Sequence, residues 1–364
     1  MSEGMNRRFA HGGNVYDAAP AGREWLDFSA NINPLGLSEK VRRAIEDGIE
    51  KLVHYPDPAA RALKQAIAER YGVPREKIVL GNGGAELFYV FFHAVRPRRV
   101  LLPIPSFSEY ERAAISAGAE ISYVALREEA DFRLDERVLC TQMAAGDCLI
   151  LGNPNNPTGQ MVKADALEKL IAEAGRKGAN VVVDESFVDF RSDAEDFTVR
   201  SLAGAYDNLL VVQSLTKFFA IPGLRLGFAV APPCLAEKLE AAKDPWNTNL
   251  LAQAAGVAAL GDGEYQKRTL QWLESERDFL FRSLAAFEGI KAYPPTVNFI
   301  FLRLSPTWGS APAFCERMKE EGILLRDCSN YPGLDDTYIR VAVRKREENE
   351  LLLEAFRRAR GERK

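Results

Sequence analysis

Between residues 77 and 230, short apolar runs alternate with helix-like stretches. The runs are Ile78-Val79-Leu80, Arg99 to Leu102, Ile121 to Ala125, Cys148 to Leu151, Asn180 to Val183, Leu209 to Gln213 and Leu226 to Val230. They are continuously apolar rather than alternating with polar residues. Strands of that kind are buried on both faces, which predicts a mostly parallel sheet with helices on both sides, an α/β fold. In such sheets ligands bind beyond the carboxyl ends of the strands. The polar motifs fall at those ends. Gly81-Asn82-Gly83-Gly84-Ala85-Glu86 follows the first run, and Pro105-Ser106-Phe107 the second. Gly152-Asn153-Pro154-Asn155-Asn156-Pro157-Thr158-Gly159 follows the fourth, Asp184-Glu185-Ser186-Phe187 the fifth, and Ser214-Leu215-Thr216-Lys217 the sixth.

The last motif carries the most chemistry. A lysine off the end of a strand, among Phe218 and Phe219, is partly desolvated. Desolvation lowers its pKa and makes the amine a nucleophile toward aldehydes. Ser214 and Arg225 flank it and are suited to hold a phosphate. Gly84 and Ala85 open a helix after a strand, so their N–H groups and the helix dipole also suit a phosphate. As a lone glycine-rich turn, that segment reads equally well as an ordinary turn. Phe107 fits a ring stacked on a ligand or a core aromatic. Asn156 fits a hydrogen-bonding role or plain turn chemistry. Asp184 ends an apolar strand, where an unpaired carboxylate would be costly.

The flanks are less regular. Residues 1–36 read as a loop carrying His11-Gly12-Gly13-Asn14 and Asp27-Phe28-Ser29-Ala30-Asn31-Ile32-Asn33-Pro34, and long loops are usually functional. Ser38 reads as an N-cap for a helix whose single face carries Val41, Ile45, Ile49 and Leu52. After Trp246 the pattern turns helical, then gives strand candidates at Asn298 to Leu302 and Tyr338 to Val343. The expected organisation is an arm over 1–36, a large α/β domain over 37–246 and a small α+β domain over 247–364. In the small domain Arg326 and Arg340 flank a glycine turn. Their planar forks suit oxyanions, though surface ion pairs would explain them as well.

Composition excludes other classes. With 47% hydrophobic residues in 364, a large core is available. The net charge of −4 gives no reason to expect nucleic acid or an anionic membrane as a partner. The five cysteines (Cys140, Cys148, Cys234, Cys315, Cys328) form no CxxC pair, and only His11, His54 and His93 are histidines. No metal centre or disulfide framework is expected. Neither an apolar leader over residues 1–10 nor a membrane-length segment is present, so a cytoplasmic protein with reduced thiols is expected.

In their order and spacing these motifs resemble the fold type I pyridoxal-phosphate enzymes of the class I/II aminotransferase group, over essentially the whole chain. The resemblance implies that Lys217 anchors pyridoxal 5'-phosphate covalently and that Asp184 faces the pyridine nitrogen. It implies that Asn156 touches O3' and that Phe107 stacks on the ring. It gives the phosphate to Gly84, Ala85, Ser214 and Arg225. It also implies a homodimer in which Tyr55 reaches the neighbour's phosphate site. Many relatives carry tyrosine three residues after the aspartate, where this chain has Phe187. Two branches compete. Histidinol-phosphate aminotransferases share the core motifs. The His11 segment, the Asp27 to Pro34 run and Arg326-Asp327-Cys328-Ser329-Asn330-Tyr331-Pro332-Gly333-Leu334 look more like the threonine-phosphate decarboxylase branch of cobalamin biosynthesis. By that resemblance His11, Gly12, Asn31, Asn156, Arg326 and Arg340 bind a small phosphorylated amino acid. A non-catalytic sensor of the same fold is the third reading, and an intact Lys217 with its partners argues against it.

Overall fold

The computed structural model describes residues 9–20 and 24–361. Within the arm over 1–36, residues 1–8 and 21–23 therefore lie outside the described residues. Thirteen strands, all among the described residues, form three sheets. Strand β1 (Leu26–Asp27) pairs in parallel with a short strand of the C-terminal region. The large sheet holds β2 (Ile78–Asn82), β3 (Arg99–Ile104), β4 (Glu120–Ala125), β5 (Asp147–Gly152), β6 (Asn180–Asp184), β7 (Leu209–Ser214) and β8 (Leu226–Val230). A smaller antiparallel sheet holds β9 (Ile290–Ala292), β10 (Phe299–Leu304), β12 (Arg326–Asp327) and β13 (Tyr338–Ala342). The partner of β1 is β11 (Ile323–Leu324).

The large sheet has the order β2-β8-β7-β6-β5-β3-β4. All seven strands coincide with the apolar runs of the sequence. Six point the same way, and β8 is antiparallel to both of its neighbours. The reason is the connection. Only residues 215–225 separate β7 from β8, with a single 3-10 turn at Pro222–Leu224 and no crossover helix. A parallel return needs about a dozen residues or more, usually a helix, so the chain turns back.

The central strands β5, β6 and β7 are buried along nearly their whole length, with Ile150, Val182, Leu210 and Val212 all at 0% exposure. Two apolar cores lie against the sheet. One contains Phe88, Phe91 and Phe92 of helix Gly84–Val95 together with Val100, Ile150 and Val212. The other contains Leu167, Leu170 and Ile171 of helix Ala164–Arg176 with Val181, Val183 and Leu209, and it continues into the C-terminal lobe. Helix-on-both-faces burial is what the continuous apolar runs require.

One helix departs from the sequence pattern. Ser38 caps helix Glu39–Glu46, its hydroxyl accepting from the Val41 amide, but the helix stops before Gly48. Residues 49–53 form a separate 3-10 turn. Ile49 and Leu52 are therefore 51% and 54% exposed rather than packed on one face with Val41. A Cβ at Gly48 would lie 2.7 Å from Leu251 Cδ2, so a larger residue here would push the leucine of helix Leu250–Leu260 aside. Among the described residues no helix is long and apolar enough to cross a membrane.

Candidate active site

A pocket of about 910 Å³ opens beyond the carboxyl ends of β2, β3, β5, β6 and β7. It brings together His11, Gly12, Asn31, Gly84, Ala85, Phe107, Asn156, Asp184, Ser214, Lys217, Arg225, Arg326 and Arg340. Tyr55 is the exception. It is 78% exposed and rests on Trp246, with ring centroids 4.7 Å apart, outside this pocket.

Lys217 lies three residues beyond the end of β7. Its Nζ lies 5.4 Å from the centre of the Phe187 ring. Burial pushes its pKa down from 10.5 to about 8. The Asp184 carboxylate opposes that shift, while Arg225 and Arg340 reinforce it. A group that binds its proton this weakly is a free amine over much of the mildly alkaline range, and the free amine is the nucleophile. This gives a pH prediction. Covalent capture of pyridoxal 5'-phosphate by the apo-protein, followed by absorbance, speeds up as pH rises to about 8 and then levels off. An unshifted lysine would keep gaining about tenfold per pH unit until well above 9, and a rate that does so contradicts the desolvated lysine.

Asp184, the last residue of β6, is buried but fully partnered. Tyr110 donates its hydroxyl to Oδ2 at 2.7 Å and the Ser186 amide donates to Oδ1 at 2.9 Å. Burial and the adjacent Asp184 charge push the Tyr110 phenol well above its ordinary pKa, so it stays a donor. The carboxylate is thus held in one orientation, with lone pairs left over for a cationic ring nitrogen.

A phosphate-sized cradle lies beside it. Gly83 (φ +84°) caps helix Gly84–Val95, whose first amides are free of intrahelical partners. A Cβ at Gly83 would fall 2.4 Å from Arg225 Nη2, and one at Gly227 would fall 2.6 Å from the Gly84 nitrogen. The glycines therefore let the guanidinium and the helix start close on one spot, beside the Ser214 hydroxyl. Arg225 itself adopts a left-handed conformation (φ +59°), a strained backbone held by its surroundings.

Arg326 and Arg340 enter from the small sheet. They are directly opposed in the β12–β13 register, and both are buried. Like charges in that relation repel each other. Arg326 donates to the carbonyls of Ala10 and Asp327 and to Asn330 Oδ1. Arg340 donates to Asn156 Oδ1 and to the Ser29 carbonyl at 2.8 Å. Among the described residues neither forms a salt bridge to a carboxylate, and Arg340 Nε is buried without a hydrogen-bond partner. Burial lowers the Arg340 pKa and the nearby Arg326 charge adds to it, yet a guanidinium remains charged. Two buried cations in a pocket, neither in a salt bridge among the described residues, favour bound anions.

The sequence reading missed Glu109, Tyr110 and Tyr331, which also line the pocket. Tyr110 lies one helical turn beyond Phe107, a spacing that puts both on one face, so it could have been found. Glu109 gave no signal, because a carboxylate in the first turn of a helix reads as a solvated residue.

The class I and II aminotransferase model matches residues 23–356. The chain belongs to the aminotransferase class I and II family. Threonine-phosphate decarboxylase of Salmonella typhimurium is 37% identical, over 96% of this chain and 96% of that protein. A protein of Caldanaerobacter subterraneus subsp. tengcongensis that carries the same name provisionally is 40% identical, over 98% of this chain and 96% of its own. The solved histidinol-phosphate aminotransferase of Clostridium acetobutylicum superposes with a TM-score of 0.85 at 29% identity, covering 92% of this chain and 98% of that one. The cofactor of this aminotransferase-family chain is pyridoxal 5'-phosphate. The pocket fits it in three respects: a desolvated amine, a fixed carboxylate and a glycine-lined anion cradle.

Proposed function

We propose that the protein decarboxylates L-threonine O-3-phosphate to (R)-1-amino-2-propanol O-2-phosphate and CO2. The observation that carries this reading is the pair of register-opposed, buried arginines without carboxylate partners, Arg326 and Arg340. A substrate with a phosphate and a carboxylate supplies two anions for two cations. Histidinol phosphate has a phosphate but no carboxylate, so in an aminotransferase only the keto acid would bring a carboxylate to the pair. The identities of 37% and 40% to proteins named for the decarboxylation support the same choice. The place in cobalamin biosynthesis that the sequence resemblance implies belongs to this proposal.

In this reading Lys217 anchors the cofactor, Asp184 holds the charge on its ring nitrogen and Phe107 covers the ring. Gly84, Ala85, Ser214 and Arg225 hold its phosphate, and Asn156 contacts its O3'. The bound cofactor supplies an electron sink for the pair released when a bond to the substrate Cα breaks. His11, Gly12, Asn31, Asn156, Arg326 and Arg340 fix the substrate so that the carboxylate bond is the one aligned to break. Carbon dioxide leaves, and one proton takes the place of the carboxylate on Cα. Lys217, at the end of the sheet beside Asp184, would be placed to hold that proton. Phe187 cannot donate a hydrogen bond where a tyrosine would. Product analysis tests the reading: amine phosphate and CO2 must form in equal amounts without an added keto acid.

The same reading includes a cytoplasmic homodimer. The described cysteines are all free thiols, as a reducing compartment keeps them. Ile49, Leu52, Val53, Tyr55 and Trp246 form an exposed apolar group, with Val53 82% exposed. Such patches mark interaction surfaces, and a second copy is the occupant that would bring each Tyr55 to its neighbour's cradle. Sedimentation should give a mass near twice that of the chain, and Val53→Glu should shift it toward the monomer. A monomeric wild-type protein would remove Tyr55 from the site.

A further inference from the structure

The arm and the helix after β3 meet at a contact that no part of the proposed reaction uses. Glu109 lies in the first turn of helix Ser108–Ser116 and is 8% exposed. Its Oε1 accepts from His11 Nε2 at 2.8 Å and from Arg112 Nη1 at 3.5 Å. Its Oε2 accepts from the Tyr89 hydroxyl at 3.1 Å. The His11 ring also packs near Phe107, with centroids 5.6 Å apart. Burial alone would raise the Glu109 pKa, but the His11 hydrogen bond and charge, with Arg112 and Tyr89, hold it below the ordinary value. It is therefore an ionised acceptor, and a carboxylate bonded at Nε2 fixes the ring; as the imidazolium, His11 then has Nδ1–H left to donate to a substrate oxyanion.

The neighbours of His11 are tied down on the other side. The Ala10 carbonyl accepts from Arg326 Nη2 at 2.8 Å and from Asn330 Nδ2 at 3.2 Å. The Gly13 amide donates to Ser29 Oγ at 2.7 Å. A Cβ at Gly12 would lie 2.3 Å from the Ser29 carbonyl oxygen, so the chain can run this close only as glycine. Residues 10–13 thus bridge the small-sheet lobe, through Arg326, and the large-sheet lobe, through Glu109. Both His11 and Glu109 line the pocket.

We propose that Glu109 is a positioning residue for substrate capture: its buried carboxylate fixes the His11 imidazole and latches the arm across the pocket, between the two lobes. The inference rests on the proposed phosphorylated substrate for its kinetic readout and on the fold alone for its structural one. A hydrogen bond to a charged group is worth roughly tenfold to a hundredfold in affinity.

The test compares the holoenzyme with Glu109→Gln, His11→Ala and the double variant, using L-threonine O-3-phosphate. Glu109→Gln keeps the shape but removes the charge and replaces one acceptor oxygen with a donor NH2, so the fold is retained while the hold on His11 weakens. Its KM should rise about tenfold or more, with kcat within about threefold. The visible spectrum of the bound cofactor should not change. In the His11→Ala background the same substitution should cost less than about threefold, because the two residues act as one unit. An unchanged KM, or an equal cost in both backgrounds, overturns the proposal. Amide hydrogen exchange without substrate tests the latch independently: the Gly13 and Val15 amides should exchange faster in Glu109→Gln, and unchanged rates overturn it. If wild-type enzyme releases no CO2 from this substrate, the functional reading fails while the exchange result still decides the latch.

Discussion

Lys217→Ala is expected to abolish turnover and the visible absorbance of the bound cofactor together. The amine lies just beyond the end of β7, held at a pKa of about 8 by burial, and it supplies both the covalent anchor and a proton store. General acid–base catalysis alone is worth about 10² to 10⁴-fold. Losing the nucleophile as well puts the expected loss above about 10⁴-fold. In the wild-type protein, borohydride reduction should leave the cofactor mass on the peptide that contains Lys217, and in the variant on none. Cofactor recovered on a different lysine would mean that the whole placement of the site is wrong. Ser214, Arg225 and the start of helix Gly84–Val95 remain in the variant, so weak non-covalent cofactor binding should survive.

Arg340→Ala is the second large effect, and it should fall mainly on the substrate. The guanidinium is 5% exposed, bonded to Asn156 Oδ1 and the Ser29 carbonyl, with Nε directed at no protein acceptor among the described residues. Truncating one partner of a buried charged pair costs about 2–5 kcal/mol. The KM should therefore rise roughly thirtyfold to several thousandfold. Cofactor affinity, from absorbance titration, should stay within about threefold. Arg340→Lys should recover little, because an ammonium lacks the planar fork that meets two oxygens at once. A KM within threefold of wild type would mean that Arg340 holds the arm through Ser29 and not the substrate.

Much of this was legible in the sequence, for definite reasons. The seven strands of the large sheet are read from continuous apolar runs because burial on both faces leaves no polar alternation. Lys217, Asp184 and Ser214 are legible because a polar residue directly after such a run must lie at the sheet's carboxyl end. The direction of β8 was not legible, because an apolar run has no sign. Only the shortness of the 215–225 connection decides it. Ile49 and Leu52 carry a helical spacing that the break at Gly48 interrupts, and the separate 3-10 turn leaves them exposed. The register that sets Arg326 opposite Arg340 is a long-range pairing across a turn, and nothing local in either segment encodes it. Glu109 is legible only once the arm is in place, since its burial comes from His11, Tyr89 and Arg112.

The central claim is that the pocket breaks the carboxylate bond of a phosphorylated amino acid. The most direct measurement uses L-threonine O-3-phosphate labelled at the carboxyl carbon, with purified holoenzyme, and follows the label and the amine. The account predicts labelled CO2 in equal amount to (R)-1-amino-2-propanol O-2-phosphate, unchanged by added 2-oxoglutarate. Label retained in a keto acid, or glutamate formed from histidinol phosphate and 2-oxoglutarate with no CO2 released, would contradict it.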